Sequence, residues 1–417
     1  MLLACRSVAE SDHPTLQVLQ LPNVRGYIAS RFLSSLGRSI LVTTIAWHLW
    51  KATDSYFYLG VLGVVEFLPV IPVSLYAGAA ADTFDRKRIV QVTQAISLCV
   101  AAALATTEWL GLDVPMILAA AFALATTSSF ENPAGSALLP SLIPRALFPS
   151  ATVVSSNVRN LATVSGPVAM GFLAEAGGVS LAYAASSAVM LGSFGALAFV
   201  RTPPVEGSSG HRRVRLEMVR EGVRFVRAQP VVLSSMTLDM FAVIFAGATA
   251  LLPVYADEIL GVGERGYGLL SASMSLGTFA MAALLLVLPP IRRAGRALLV
   301  AVVLFGLATI VFGLSRSFPL SVAAFAIAGM ADQVSMVTRS IVIQLSTPDA
   351  LRGRVNSVNM IFIGASNELG AAESGFLAAL TSATFSVVAG GFACLGVAGV
   401  VAARVPSLRH YDIIDHP

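Results

Sequence analysis

Gly78-Ala79-Ala80-Ala81-Asp82-Thr83-Phe84-Asp85-Arg86-Lys87-Arg88 joins two apolar runs, Tyr56 to Ala81 and Ile89 to Thr107. Five of its last seven residues are charged. A turn this short between two stretches of membrane length predicts a helical hairpin whose tip carries acids and then bases. Bases alone would mark any loop on the positive side of a membrane. Gly78 and Asp82 ask for a more specific reason.

The composition agrees with a lipid environment. The chain has 417 residues, of which 56% are hydrophobic and only 12% charged, with a mean hydropathy of +0.79. Soluble domains carry about 25% charged residues. The 34 Gly and 20 Pro suit membrane helices, where neighbours satisfy freed backbone groups. Twelve spans of membrane length follow, at 27–50, 56–81, 89–107, 114–131, 150–174, 179–200, 231–254, 266–288, 297–315, 318–344, 355–380 and 383–404. The first 22 residues are interrupted by Glu10, Asp12, His13 and Pro14, unlike a cleaved signal, so the first span reads as an uncleaved anchor. Cys5, Cys99 and Cys394 form no disulfide framework or metal spacing.

An even number of spans puts both ends on one side. Loops on that side hold twenty of the 27 Lys and Arg, against Lys51, Arg265 and Arg316 on the other. The positive-inside rule therefore predicts cytoplasmic termini. The bases sit in short loops between spans, which reads as topology and not as a nucleic-acid surface.

Five segments are expected. They are a cytoplasmic N-terminal segment (1–26), a six-helix half (27–200), a cytoplasmic linker (201–230), a second six-helix half (231–404) and a cytoplasmic tail (405–417). Within the linker, Leu216, Val219, Val223 and Val226 recur at helical spacing among Arg213, Arg220, Arg224 and Arg227. This predicts an amphipathic helix on the inner leaflet. An internal repeat supports the division. At an offset of 204, Pro144, Ala146 and Leu147 meet Pro348, Ala350 and Leu351, Gly166 meets Gly370, and Gly171-Phe172-Leu173-Ala174 meets Gly375-Phe376-Leu377-Ala378.

The opening stretch resembles the loop signature G-x-x-x-D-R-x-G-R-R of the major facilitator superfamily. Gly78, Asp82, Arg86 and Arg88 match it, while Thr83 and Asp85 depart from it. Gly166-Pro167-Val168-Ala169-Met170-Gly171 is similar to the superfamily's antiporter signature, with a single Gly one residue late. Pro348-Asp349-Ala350-Leu351-Arg352-Gly353-Arg354-Val355 resembles the branch of bacterial exporters that includes the enterobactin exporter. The resemblance implies an all-α membrane protein with two pseudo-symmetric six-helix halves. It implies alternating access, no cofactor, and a single working chain in a bacterial inner membrane. It also implies that Asp82, braced by Arg86, docks on the start of the eleventh helix near Val355–Asn356 to latch a gate. There the helix dipole favours an anion.

Ionisable groups inside spans cost about 2.5–3.5 kcal/mol each on the insertion scale, so each is a functional candidate. They are Arg31, Arg38, Glu66, Glu131, Arg159, Asp239, Asp332, Arg339, Glu368 and Glu373. Arg31, Glu131 and Arg339 lie toward span ends, where snorkelling to the interface is the bland reading. Arg38 follows Ser34-Ser35-Leu36-Gly37, where exporters of the resembled branch carry an acid; it favours an anionic substrate or an internal ion pair. Arg159, seven residues before Gly166, shares its helix face. Glu66, Asp239, Glu368 and Glu373 are the candidates for reversible protonation. The competing reading is static pairing with Arg38 or Arg159. Gly60, Gly63, Gly166, Gly171, Gly370 and Gly375 are expected to let helices pack closely.

These residues and the resemblance together predict a secondary transporter, with proton-coupled export of an amphipathic drug- or siderophore-like molecule as the leading reading. An uptake carrier for an organic anion is one alternative, and a membrane-embedded sensor without transport another. The chain has no Walker-type, H-E-x-x-H or paired-aspartate motif, so an enzyme is not expected.

Overall fold

The computed structural model describes residues 14–106, 114–202 and 216–412. They form helices throughout, with no strand among the described residues. The long elements are α1 (Pro14–Gln20), α2 (Pro22–Thr53), α3 (Tyr56–Thr83), α4 (Arg86–Ala105), α5 (Val114–Leu142), α6 (Phe148–Ala198), α7 (Leu216–Ala228) and α8 (Pro230–Ala246). After short helical turns come α9 (Gly263–Leu285), α10 (Ala294–Leu314), α11 (Phe318–Leu345), α12 (Asp349–Leu380) and α13 (Ala383–Arg404). Each of the twelve predicted spans falls on a helical stretch, with the third ending at Ala105. Among the described residues, eight helical stretches are long and apolar enough to cross a membrane by length and composition.

The boundaries have local causes. Asp85 caps α4, its Oδ1 accepting from the Lys87 backbone N–H at 2.9 Å. That explains an acid where the superfamily loop carries Gly: the hairpin tip uses a side-chain cap. Ser382 caps α13 in the same way, accepting from Phe385 N–H at 3.1 Å. The fifth and sixth spans run together in α6, bent at Gly177 and Gly178. Gly178 has φ 72°, which a side chain would strain.

The chain packs as two units. One comprises residues 1–44 and 72–214, the other 45–71 and 215–417. In the first, α4 packs against α5 and α6. Its core joins Val24, Tyr27 and Ile28 of α2 to Val90, Leu138 and Leu197. In the second, Leu238 and Ala242 of α8 meet Leu298, Val302 and Phe305 of α10 and Cys394 of α13. Residues 45–71 belong here because small residues allow contact: a Cβ on Gly63 would lie 2.6 Å from the Ala372 backbone N, and Phe57 packs on Phe376.

The amphipathic helix of the linker is α7. Val226 is buried, packing with Val232 and Met236 of α8, Ile343 of α11, and Val355 and Val358 of α12. Glu221 and Arg354 pair at 2.6 Å. Val223 packs against the same cluster, while Arg220, Arg224 and Arg227 are exposed; the side chains of Leu216 and Val219 lie outside the described residues. The segment before it, with Arg213, lies outside the described residues.

Candidate functional site

A polar cleft of ≈ 310 Å³ opens within the first unit, between α2, α5 and α6. Helical spacing builds it: Arg31, Ser34, Ser35 and Arg38 recur along one face of α2, Ser128, Glu131 and Asn132 along α5, and Arg159 and Thr163 along α6. Arg38 and Arg159, chosen from the sequence, are therefore brought together. Arg38 Nη2 donates to the Leu124 carbonyl at 2.7 Å.

Arg31 and Glu131 also line this cleft, and their expected snorkelling is corrected. Arg31 is 7% exposed and Glu131 6%. Arg31 Nη1 lies 3.6 Å from Glu131 Oε1, and Ser34 Oγ donates to the same oxygen at 2.6 Å. A charge without a route to headgroups must find a partner, and these two found each other. Gly135 leaves room for the guanidinium, since a Cβ there would sit 2.8 Å from Arg31 Nη1.

The Gly166-Pro167 pair acts just beside this cleft. Pro167 has no N–H, so it cannot bond the carbonyl one turn earlier, that of Thr163. Ser39 Oγ of α2 approaches that carbonyl at 3.4 Å. Gly166 permits the approach, because a Cβ there would run into the Ser39 side chain. Pro167 and Gly171 are buried in the same arm of α6.

In the second unit Asp239 of α8 pairs with Arg339 of α11, both buried. Ser335 Oγ lies 3.4 Å from Asp239 Oδ1. The static partner of Asp239 is therefore Arg339, not Arg38 or Arg159, and Arg339 does not snorkel. Its Nε makes no hydrogen bond among the described residues. Glu66 of α3 and Glu368 of α12 are half-buried on helices that cross at Gly63, where a Cβ would come 2.9 Å from the Glu368 carbonyl. Glu373, also half-buried, has the Ser374 Oγ 3.5 Å from its carboxylate.

The opening loop divides its residues. Arg86 Nη1 donates to the Ala137 carbonyl at 3.2 Å. Lys87 Nζ donates to the carbonyls of Ala198 and Val200, at 3.1 and 2.7 Å, where a cation suits a helix C-terminus. Arg88 is exposed, its Nε 3.9 Å from Asp85. Gly78 and Asp82 fall in the last turns of α3, and the surroundings of both lie outside what the structure describes.

One constellation went unread in the sequence. At the end of α2, Lys51 Nζ and Trp50 Nε1 both donate to Asp257, at 3.1 and 3.0 Å, while Tyr56 OH donates to Glu258 at 2.8 Å. Trp47 stacks on Tyr267 with ring centroids 5.1 Å apart. The acids sit on a widened π-type turn, Tyr255–Ile259. The partners are some two hundred residues apart and share no motif, so only the fold could pair them.

From residue 23 to 416 the chain matches the family described as transmembrane secretion effector. It belongs to that family. It is 28% identical over 400 residues to the multidrug efflux pump Tap of Mycolicibacterium fortuitum, covering 91% of this chain and 95% of that protein. With the enterobactin exporter EntS of Escherichia coli it shares 25% identity, covering 94% and 93%. The fold is that of the D-xylose–proton symporter, with a TM-score of 0.72 at 12% identity over 93% of this chain and 99% of that one. A bacterial homologue of the human lysosomal transporter Spinster superposes with a TM-score of 0.68 at 17% identity, covering 95% and 97%. The chain is a multi-pass membrane protein of the major facilitator superfamily, a superfamily of transporters and not of enzymes.

Proposed function

We propose that the protein is a secondary active exporter that moves an amphipathic small molecule by alternating access, driven by protons. The observation that carries this reading is its likeness, along more than nine-tenths of its length, to proteins named for efflux and for export. The two six-helix halves (27–200 and 231–404) would move about a site between membrane surfaces, as repeats do in such transporters. The charge asymmetry of the loops puts both termini in the cytoplasm of a bacterial cell. The chain works as a monomer in this reading.

The cleft of the first unit supports a role in substrate binding, because it collects hydroxyl, amide and guanidinium groups that a purely structural interface would not need. Asp239 is the proposed proton carrier. It is an acid held in apolar surroundings by one guanidinium, so protonation releases Arg339 and changes the packing between α8 and α11.

Inverted vesicles carrying the protein test both points. A substrate from a panel of dyes, antibiotics and siderophores is expected to collapse part of a preformed pH gradient. Asp239→Asn should abolish that response while Glu66→Gln, Glu368→Gln and Glu373→Gln retain it. A response unchanged in Asp239→Asn would move the proton to another acid. No response to any compound, together with accumulation of an organic anion by intact cells, would replace export by uptake.

A further inference from the structure

A second cleft, of ≈ 330 Å³, lies in the second unit where α11 gives way to α12. The end of α11 supplies Ser340, Gln344 and Thr347, and the start of α12 supplies Arg352, Asn356 and Asn359. On the topology proposed above, this is the cytoplasmic end of both helices. The lining is short of free donors. Asn359 is 6% exposed, and its Oδ1 makes no hydrogen bond among the described residues. Thr347, also buried, donates its hydroxyl proton to the Ile343 carbonyl at 2.6 Å. Ser340 donates its own to the Met336 carbonyl at 2.8 Å. What remains to both hydroxyls is to accept. A buried amide oxygen left without a donor is costly, and an apolar side chain of similar size would serve helix packing better.

The charges narrow the ligand. Arg352 is the one charged side chain among the described residues that line the cleft, and it is joined to Asp349 at 2.9 Å. An anion would therefore meet a guanidinium already engaged and oxygens that can only accept. A cation would find no carboxylate in the lining, and a buried charge without a counter-charge is costly.

We propose that this cleft binds a neutral polyhydroxyl group, the ring of a glycoside or a short polyol, whose O–H groups donate to Asn359 Oδ1 and to the hydroxyl oxygens of Thr347 and Ser340. Gln344 and Asn356 are exposed. Their amides both donate and accept, which matches hydroxyls that do the same. At ≈ 330 Å³ the cleft is at the small end of ligand pockets, which run from about 300 to 1,000 Å³. It has room for one ring. The inference goes beyond the transport reading and does not rest on it, because binding is measured without a gradient. The hydroxyl groups have two sources, a free glycoside or a glycosylated lipid headgroup, with the same chemistry at the cleft.

Four phenyl probes of matched shape test this. They are phenyl β-D-glucopyranoside, its glucuronide, its 6-amino-6-deoxy counterpart, and 2-phenoxytetrahydropyran, which keeps the ring and loses the hydroxyls. Equilibrium dialysis near neutral pH, with the full chain in phosphatidylcholine nanodiscs and empty nanodiscs as background, gives the binding order. The glucoside should bind about tenfold or more tightly than phenoxytetrahydropyran, as hydrogen bonds to a buried and otherwise unpartnered acceptor imply. The glucuronide and the amine should both bind more weakly than the glucoside. Asn359→Leu should lose about tenfold of the glucoside affinity, leave phenoxytetrahydropyran unchanged and unfold at no lower temperature than the natural chain. Asn359→Asp supplies the missing carboxylate and should place the amine ahead of the glucoside.

Equal binding of glucoside and phenoxytetrahydropyran, or a glucoside affinity unchanged in Asn359→Leu, would overturn the site. A lowered unfolding temperature in Asn359→Leu would give the amide a structural task and overturn it too. No probe bound above the empty nanodiscs would leave water as the occupant and remove the proposal. Nanodiscs containing monoglucosyl diacylglycerol separate the two sources. Loss of phenyl glucoside binding there assigns the cleft to a lipid headgroup, and unchanged binding assigns it to a free glycoside.

Discussion

The two buried ion pairs are built to one plan with the charges exchanged. In the first unit the base is on α2 and the acid on α5; in the second the acid is on α8 and the base on α11. Each member of the second pair lies 208 residues after its counterpart, Arg31 to Asp239 and Glu131 to Arg339. A serine stands beside the carboxylate both times, but on different helices: Ser34 on α2, Ser335 on α11. The difference is in support. Ser34 donates to Glu131 at 2.6 Å, whereas Ser335 stands 3.4 Å from Asp239, beyond the usual range of O–H···O bonds. Glu131 thus has a second partner and a cleft beside it. Among the described residues Asp239 has one close partner, Arg339, and only a long contact from Ser335. A carboxylate with one partner is the better switch, and one with two is the better fixture.

Removing one arginine from each pair tests this contrast. Arg339→Met strands Asp239 and should cost about 3–5 kcal/mol of stability, as breaking a buried pair does. Asp239→Leu with Arg339→Met should recover most of it. Thermal unfolding in detergent would read both, and a double variant no better than the single would break the account of Asp239. Arg31→Met should cost less, about 1–3 kcal/mol, because Ser34 still serves Glu131. Adding Ser34→Ala should bring that loss up toward the Arg339→Met value. If it does not, the serine is not the source of the difference.

The smallest effect is expected where an ion pair is open to solvent. Lys51 is about half exposed in its contact with Asp257. Lys51→Ala should change stability by roughly 0.2–1 kcal/mol, less at high salt. A loss as large as that of Arg31→Met would mean that the Trp50–Lys51–Asp257 cluster is held more tightly than its exposure allows.

The helices and most of their ends were legible before the fold was known, because hydropathy and capping are local. Arg38 and Arg159, though not legible as neighbours on one cleft, were legible as separate candidates. Arg31, Glu131 and Arg339 were not, because position near a span end gives no depth and the bland reading sends such groups to the interface. Their partners lie 100 residues away along the chain, out of reach of any periodicity. The charge-exchanged repeat escaped for a further reason. The identities align at 204 and the ion pairs at 208, one helical turn later, and an Arg set against an Asp counts as a mismatch although the pairing is retained.

By itself the sequence determined that this chain is a membrane protein of many helices, with a charged hairpin tip and a repeated half. A bilayer demands about 20 apolar residues per span, and that demand is met or missed within each segment alone. The tertiary structure decided which charge meets which. It gave Asp239 to Arg339, Glu131 to Arg31 and Asp257 to Lys51, and left Arg38 and Arg159 on one cleft. Coulomb attraction and desolvation act across space, between helices whose order along the chain does not state their distance.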